Sequence, residues 1–256
     1  MLVYSKKTHA RNAILAGLPL PELASLSASL EPIDLRERMV LQEPKRGMEY
    51  VYFVESGLVS LRTVAAGSIL ETAIIGNRGA IGASILLGEY FPTRQSIVIV
   101  AGTALRIHFD DLRRVMNECP QVQEHVRRYV RALDLHNAQA GLCGVRHRHA
   151  QRLACWLCLA SDALDKQVLP VTHDYLSHAL ALRRPSVTEA LIRFEEQGLI
   201  RKMRGVLCIE DHGRLQQEAC GCYGIIAGAY TSLEHLARDT LQYEVAVLSC
   251  NEQHGK

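Results

Sequence analysis

The chain has 256 residues, room for two domains of ordinary size, and 48% of them are hydrophobic, ample for two small cores. Its 29 Lys and Arg against 27 Asp and Glu leave a formal net charge of +2, which excludes a general polycation, so any affinity for nucleic acid must come from locally clustered charge. The apolar stretch behind Lys6, Lys7 and Arg11 is broken by Gly17, Pro19 and Pro21, and no run of about eighteen apolar residues exists, so neither a signal peptide nor a membrane span is expected and the chain is read as cytoplasmic.

Residues 11 to 30 read as a helical lead-in, with Leu23, Leu26 and Leu30 spaced for one face. From Ile33 to about Phe109 the texture changes to short β-type runs: Val51–Val54, Leu58–Leu61, Ala73–Ile75, Ile97–Val100 and Ala104–Ile107. Gly47, Gly57, Gly67, Gly79 and Gly102 punctuate them, as expected for a small antiparallel roll or barrel. A long helix follows. Val122, Val126, Tyr129, Leu133, His136, Ala140 and Cys143 alternate steps of four and three, a narrow seam that predicts a two-stranded coiled coil between copies of the chain. His136 is then a polar seam residue setting register across the dimer, with a ligand or sensor role as the alternative. Gly141 and Gly144 around Leu142-Cys143 suggest a hinge. The Arg146-His147-Arg148-His149 run opens the next helix, where His147 and Arg148 either lie on phosphate or are solvated charge.

The eight cysteines follow no framework and are expected to be reduced. Cys155 and Cys158 have metal-site spacing but lie among Leu153, Ala154, Leu157 and Leu159, which favours core thiols over ligands. Cys220-Gly221-Cys222 is closer to a chelating or redox pair, but no second pair of suitable spacing completes a tetrahedral site, so no metal is expected.

Thr172 to Ile209 is the most informative stretch. Thr172 is a plausible N-cap, Asp174 lies in the first turn, and Leu176, Ala179 and Leu180 form an apolar face. Ala181-Leu182-Arg183 supplies a turn, Pro185 suits a helix start, and Val187, Ala190, Leu191 and Phe194 mark the stripe of a second helix ended by Gly198. Leu199-Ile200 and Val206–Ile209 flank Arg201-Lys202-Met203-Arg204-Gly205, a hairpin with cations at its tip. These are the parts, in order, of a winged helix-turn-helix that inserts its second helix into the DNA major groove. Arg183, Arg184, Ser186, Thr188 and Glu189 are the base-reading candidates, and His147, Arg148, Thr172, His173, Arg193, Lys202 and Arg204 the phosphate contacts.

The order of roll, long helix, hinge and winged helix resembles the Crp/Fnr family of bacterial transcription regulators over roughly residues 11 to 220. The resemblance is carried by Tyr52-Phe53-Val54-Glu55-Ser56-Gly57, by Gly79-Ala80-Ile81-Gly82 and, most specifically, by Leu176 through Ile200. It implies that Gly79, Ala80, Gly82, Arg94 and Ser96 correspond to an effector pocket. Ala80 stands where cyclic-nucleotide binders of the family hold ribose with glutamate, and Thr93-Arg94-Gln95-Ser96 is out of pattern for the phosphate-pairing element. Leu133 and Asp134 stand where the catabolite activator branch reads adenine with hydroxyls. The oxygen-sensing branch carries iron–sulfur on N-terminal cysteines, whereas the first cysteine here is Cys119. In the reading helix Arg184 keeps the guanine-reading position, Pro185 removes the family's carboxylate and Glu189 reverses a charge.

The expected fold is α+β: an antiparallel β-roll over 11–118, a dimerisation helix and hinge over 119–144, a winged helix-turn-helix over 145–221 and an extension over 222–256. In that extension Tyr230, Leu233 and Ala237 suggest one more amphipathic helix, and residues 249–256 should be loose. The expected function is a homodimeric transcription regulator on a palindromic operator, with no enzymatic activity, no cofactor and an unidentified effector other than cyclic AMP. The alternative is a redox- or metal-responsive regulator using Cys220 and Cys222. Partners would be double-stranded DNA, a second copy of the chain and RNA polymerase, but no membrane.

Overall fold

A computed structural model describes residues 10–65, 68–88 and 90–232. Leu233, Ala237 and residues 249–256 lie outside them. The lead-in forms two helices, α1 (Ala13–Ala16) and α2 (Leu20–Ser27), because Gly17-Leu18-Pro19 interrupts the turn pattern and Pro19 is extended at the start of α2. Asn12 caps α1 by accepting the Ile14 and Leu15 N–H groups, and its amide donates to the carbonyls of Val54 and Gly79 at 2.8 Å each. One buried side chain thus ties the lead-in to the roll.

The roll consists of β1 (Glu31–Leu35), β2 (Val40–Gln42), β3 (Tyr50–Ala65), β4 (Ser68–Ile75), β5 (Ala80–Ile81) and β6 (Arg94–His108), with a 3-10 turn at Ala83–Leu87. All pairings are antiparallel, in the order β1-β6-β3-β4, with β2 also on β6 and β5 on β3. Four of the expected short strands merge into two long ones. Gly57 and Gly102 are not turns between strands; they face each other where the β3–β6 register shifts. A Cβ on Gly102 would lie 2.1 Å from the Ser56 carbonyl oxygen, and Gly57 has φ +87°, so glycine permits a bend within continuous strands.

α3 (Phe109–Glu118) leads into α4 (Pro120–Arg146). Here the structure overturns the expected coiled-coil seam. Val122, Val126, Tyr129, Leu133 and His136 are buried within their own chain, in the core shared with the roll or beside it. The Tyr129 hydroxyl donates to the Ala80 carbonyl at 2.7 Å, and His136 Nδ1 lies 3.2 Å from the Tyr230 hydroxyl. A stripe of alternating fours and threes fits a curved sheet as well as a partner helix, and sequence spacing does not distinguish them. The hinge also moves. α4 continues through Gly141 and Gly144, each of which costs a helix only about 1 kcal/mol, and breaks at the extended residues His147 and Arg148.

The C-terminal part comprises α5 (His149–Leu164), β7 (Val168–Leu169), α6 (His173–Ala179), α7 (Arg184–Glu196), β8 (Ile200–Met203), β9 (Val206–Ile209) and α8 (His212–Glu218). Its sheet runs β7-β9-β8, and residues 222–232 form a further helix, α9. The part is docked on the roll: Leu58 and Ile74 join its core, and the Asn77 N–H donates to the Ala163 carbonyl at 3.1 Å. Gly76 allows this approach, since a Cβ there would sit 2.0 Å from the Ala163 oxygen.

Candidate nucleic-acid interface and the thiol cluster behind it

The helix-turn-helix forms as its sequence dictates. Thr172 Oγ1 accepts the Tyr175 N–H at 3.1 Å, capping α6. Ala181 turns the chain with φ 48°, and the Leu182 N–H bonds back to the Ser177 carbonyl at 2.9 Å. Arg183 precedes α7 and Pro185 is its second residue rather than its first, still within the turn whose N–H groups lack helical partners. Val187, Ala190, Leu191 and Phe194 are buried, and Gly198 with φ 69° lets the chain leave.

That burial turns the opposite face of α7 outward. Arg183, Arg184 and Glu189 are exposed, and Ser186 and Thr188 are half-buried. Thr188 Oγ1 lies 3.1 Å from His173 Nδ1, linking the two helices. Burial, with the cations Lys202 and Arg184 nearby, holds the His173 imidazole below its ordinary range. Engaged with Thr188 and harder to protonate, His173 is a poor phosphate cation. Lys202 and Arg193 are also engaged by carboxylates, Glu195 and Glu218, at 2.7 Å each. Arg201 pairs with Glu210 at 2.8 Å, so the wing tip is reduced to Arg204 and Gly205. Arg183, Arg184 and Arg204 make no side-chain ion pair among the described residues.

A polar latch joins this part to the roll. Glu71 of β4 accepts from the Trp156 indole of α5 at 2.5 Å and from the hydroxyls of Tyr175 on α6 and Ser60 on β3. Burial raises the Glu71 carboxyl above its usual range, against the opposing effect of the three donors and of Arg62. Sequence spacing gave no sign of this contact.

Of the expected effector pocket, Gly79 and Ala80 are sealed by α4. A Cβ on Gly79 would lie 2.9 Å from the Tyr129 ring, and Gly79 borders a cavity of about 30 Å³, room for a water. Ala80 is buried, and its carbonyl is taken by Tyr129. Gly82 turns the chain with φ 87°, Arg94 is half-buried on β6, and Ser96 is buried with its hydroxyl donating to Gln42 at 3.2 Å.

The structure corrects the reading of the cysteines most. Cys143 Sγ lies 3.4 Å from Cys220 Sγ, and Cys222 Sγ 3.6 Å from His147 Nδ1. One ligand atom from each of these four residues falls within 4.8 Å of all the others. His147, expected on phosphate or in solvent, faces thiols instead, while Arg148 stays exposed. Cys155 and Cys158 are buried core thiols as expected, Cys155 beside Cys143 and Cys220, and burial pushes Cys158 up to about 12. S–H donation by Cys143 and then Cys155 holds the Cys220 thiol well below its usual range. The missing pair for Cys220 and Cys222 was visible as Cys143 and His147, four apart on one helix face, a spacing masked by treating Cys143 as part of the seam.

The Crp-like helix-turn-helix domain family matches residues 151–218. No curated protein matches the sequence closely enough to count as a relative. Among solved structures, FixK2 from Bradyrhizobium japonicum is 16% identical with a TM-score of 0.65, covering 75% of this chain and 98% of its own. The c-di-GMP-responsive global regulator CLP of Xanthomonas campestris is 15% identical with a TM-score of 0.60, covering 75% and 99%. TTHB099, a CRP-family transcriptional regulator of Thermus thermophilus, is 19% identical with a TM-score of 0.55, covering 73% and 96%. Residues 151–218 are therefore a Crp-like helix-turn-helix domain, and the chain carries it on the fold of the Crp/Fnr transcription regulators.

Proposed function

We propose that this protein regulates transcription as a homodimer whose two α7 helices enter successive major grooves of a palindromic operator. The observation that carries the reading is the face of α7. Arg183 and Arg184 open the helix, exposed and without an ion pair among the described residues, on a Crp-like helix-turn-helix domain. Arg184 can bond guanine O6 and N7 together, and Glu189 can accept from cytosine N4. Phosphate contacts fall to Arg204, Arg148 and the backbone around Thr172, with Lys202 and Arg193 contributing only after leaving their carboxylates.

The dimer surface is the free face of α4. Leu135, Ala138, Leu142 and Val145 follow steps of three, four and three, and Leu142 and Val145 are 48% and 83% exposed. They form the seam that the buried residues of α4 do not. Cyclic AMP is not the effector: Tyr129 occupies the space under Gly79 and Ala80, and Ala80 offers the ribose no side-chain acceptor. The output is occupancy of DNA in the cytoplasm and contact with RNA polymerase, not catalysis.

Selection of bound sequences from a random duplex library tests the reading. A two-fold motif with half-sites about one helical turn apart, 34–36 Å, is expected. Enrichment of no sequence, with only salt-sensitive general binding, would overturn it.

A further inference from the structure

The donors behind the interface have the chemistry and geometry of a metal site. Cys143 and His147 are four residues apart near the end of α4, and Cys220 and Cys222 lead into α9. The three cysteines are buried and His147 is half-buried. Bonds of about 2.3 Å to sulfur and about 2.0 Å to nitrogen would place neighbouring donors of a tetrahedron roughly 3.5–3.8 Å apart. The Cys143–Cys220 and Cys222–His147 separations, 3.4 and 3.6 Å, are close to those edges, and all four donors lie within 4.8 Å of one another. A disulfide between Cys143 and Cys220 would use two of the donors and leave Cys222 and His147 without a reason to converge. Their convergence from opposite ends of the C-terminal part is what a tetrahedral ion explains.

We infer that Cys143, His147, Cys220 and Cys222 bind one zinc-class divalent cation that fixes the joint between α4 and α5. Three thiolates and an imidazole suit a soft tetrahedral cation better than magnesium or calcium, which take oxygen donors. Coordination forms three metal–sulfur bonds and one metal–nitrogen bond, and each thiol that binds as its S–H form releases a proton to solvent.

The position gives the ion a consequence. The chain between α4 and α5 has only His147 and Arg148 outside a helix, so a bond to His147 restrains the swivel on which α5 to α8 turn. Cys220 and Cys222 bind α9 to the same point. Metal occupancy would therefore select one orientation of the reading helices, a step that rests on the DNA-binding function proposed above.

The test uses the full chain, purified under reducing conditions, stripped with a chelator and titrated with Zn²⁺ and Co²⁺. One equivalent per chain and the visible bands of tetrahedral, thiolate-ligated cobalt are expected. His147→Ala, Cys220→Ser and Cys222→Ser should lose both, while Cys119→Ser and Cys208→Ser, outside the cluster, should keep them. Removing zinc should change affinity for the selected operator by roughly tenfold or more, with circular dichroism unchanged. Failure to bind either ion, a reversible loss of thiols without metal, or an iron–sulfur chromophore in place of the zinc equivalent would each overturn the site. Full occupancy with equal operator affinity in loaded and stripped protein would overturn the coupling. Full occupancy with no DNA binding in either form would count against the DNA-binding reading and leave the metal site standing.

Discussion

Arg184 opens α7 and Arg204 sits at the turn of the wing, and the two are expected to act differently. Arg184→Ala should remove about 1–3 kcal/mol of discrimination between operator and random DNA, because a guanidinium can make two bonds to one guanine. Arg204→Ala should weaken all sequences alike and lower the dependence of affinity on salt by about one counterion. Competition binding at several salt concentrations separates these outcomes, and an unchanged operator-to-random ratio in Arg184→Ala would remove α7 as the reading helix. Lys202→Ala should do less than Arg204→Ala, since Lys202 already pairs with Glu195. A second residue-scale prediction concerns His136, whose imidazole is held neutral by burial, down from 6.5 to about 4. The depressed value means that stability is present above pH 6.5 and is lost as pH falls towards 4, on the order of 3 kcal/mol in all. Urea unfolding of the wild type and His136→Leu at neutral and acid pH checks this. The variant should lose less stability on acidification, and equal losses would refute the assignment.

At the scale of elements, α4 has two apolar faces, one buried against the roll and one exposed. Val126 is buried against the roll, so Val126→Asp should cost several kcal/mol of fold stability by burying an unpaired charge. Leu142→Asp with Val145→Asp touches only the exposed face and should give a folded monomer. Light scattering with thermal melting distinguishes the two, and a dimer that survives the double substitution would place its interface elsewhere. The sequence showed that α4 exists, how its apolar residues repeat, and where α6 and α7 start and stop. It did not show which stripe of α4 faces the roll, because the two stripes have the same spacing and differ only in what the sheet offers them. The same limit applied to Gly57 and Gly102, which mark a bend when paired across β3 and β6 and read as turns when seen singly.

At the scale of the whole chain, Glu71 holds the C-terminal part on the roll through Trp156 and Tyr175. Trp156 is the single tryptophan of the sequence, so its emission reports on this contact directly. Glu71→Ala leaves a buried indole N–H and a hydroxyl without their acceptor, a loss of about 1–3 kcal/mol each. The variant should show red-shifted emission and faster hydrogen exchange in α6 and β4. Unchanged exchange in both elements would show that the apolar contacts of Leu58 and Ile74 hold the docking alone.

The sequence by itself determined the winged helix-turn-helix: the cap at Thr172, the stripe from Val187 to Phe194, the stop at Gly198 and the exposed arginines before Pro185. Each of these depends on residues within one or two turns of each other, where helical period and backbone preference are sufficient physics. Tertiary structure decided the rest. It set Tyr129 beneath Ala80, paired Lys202 and Arg193 with carboxylates, and brought Glu71 to Trp156 across 85 positions. It also gathered Cys143 and Cys220 from 77 positions apart. Such contacts form when separate elements pack, and local sequence carries no information about which donor will meet which acceptor once loops are closed and water is excluded.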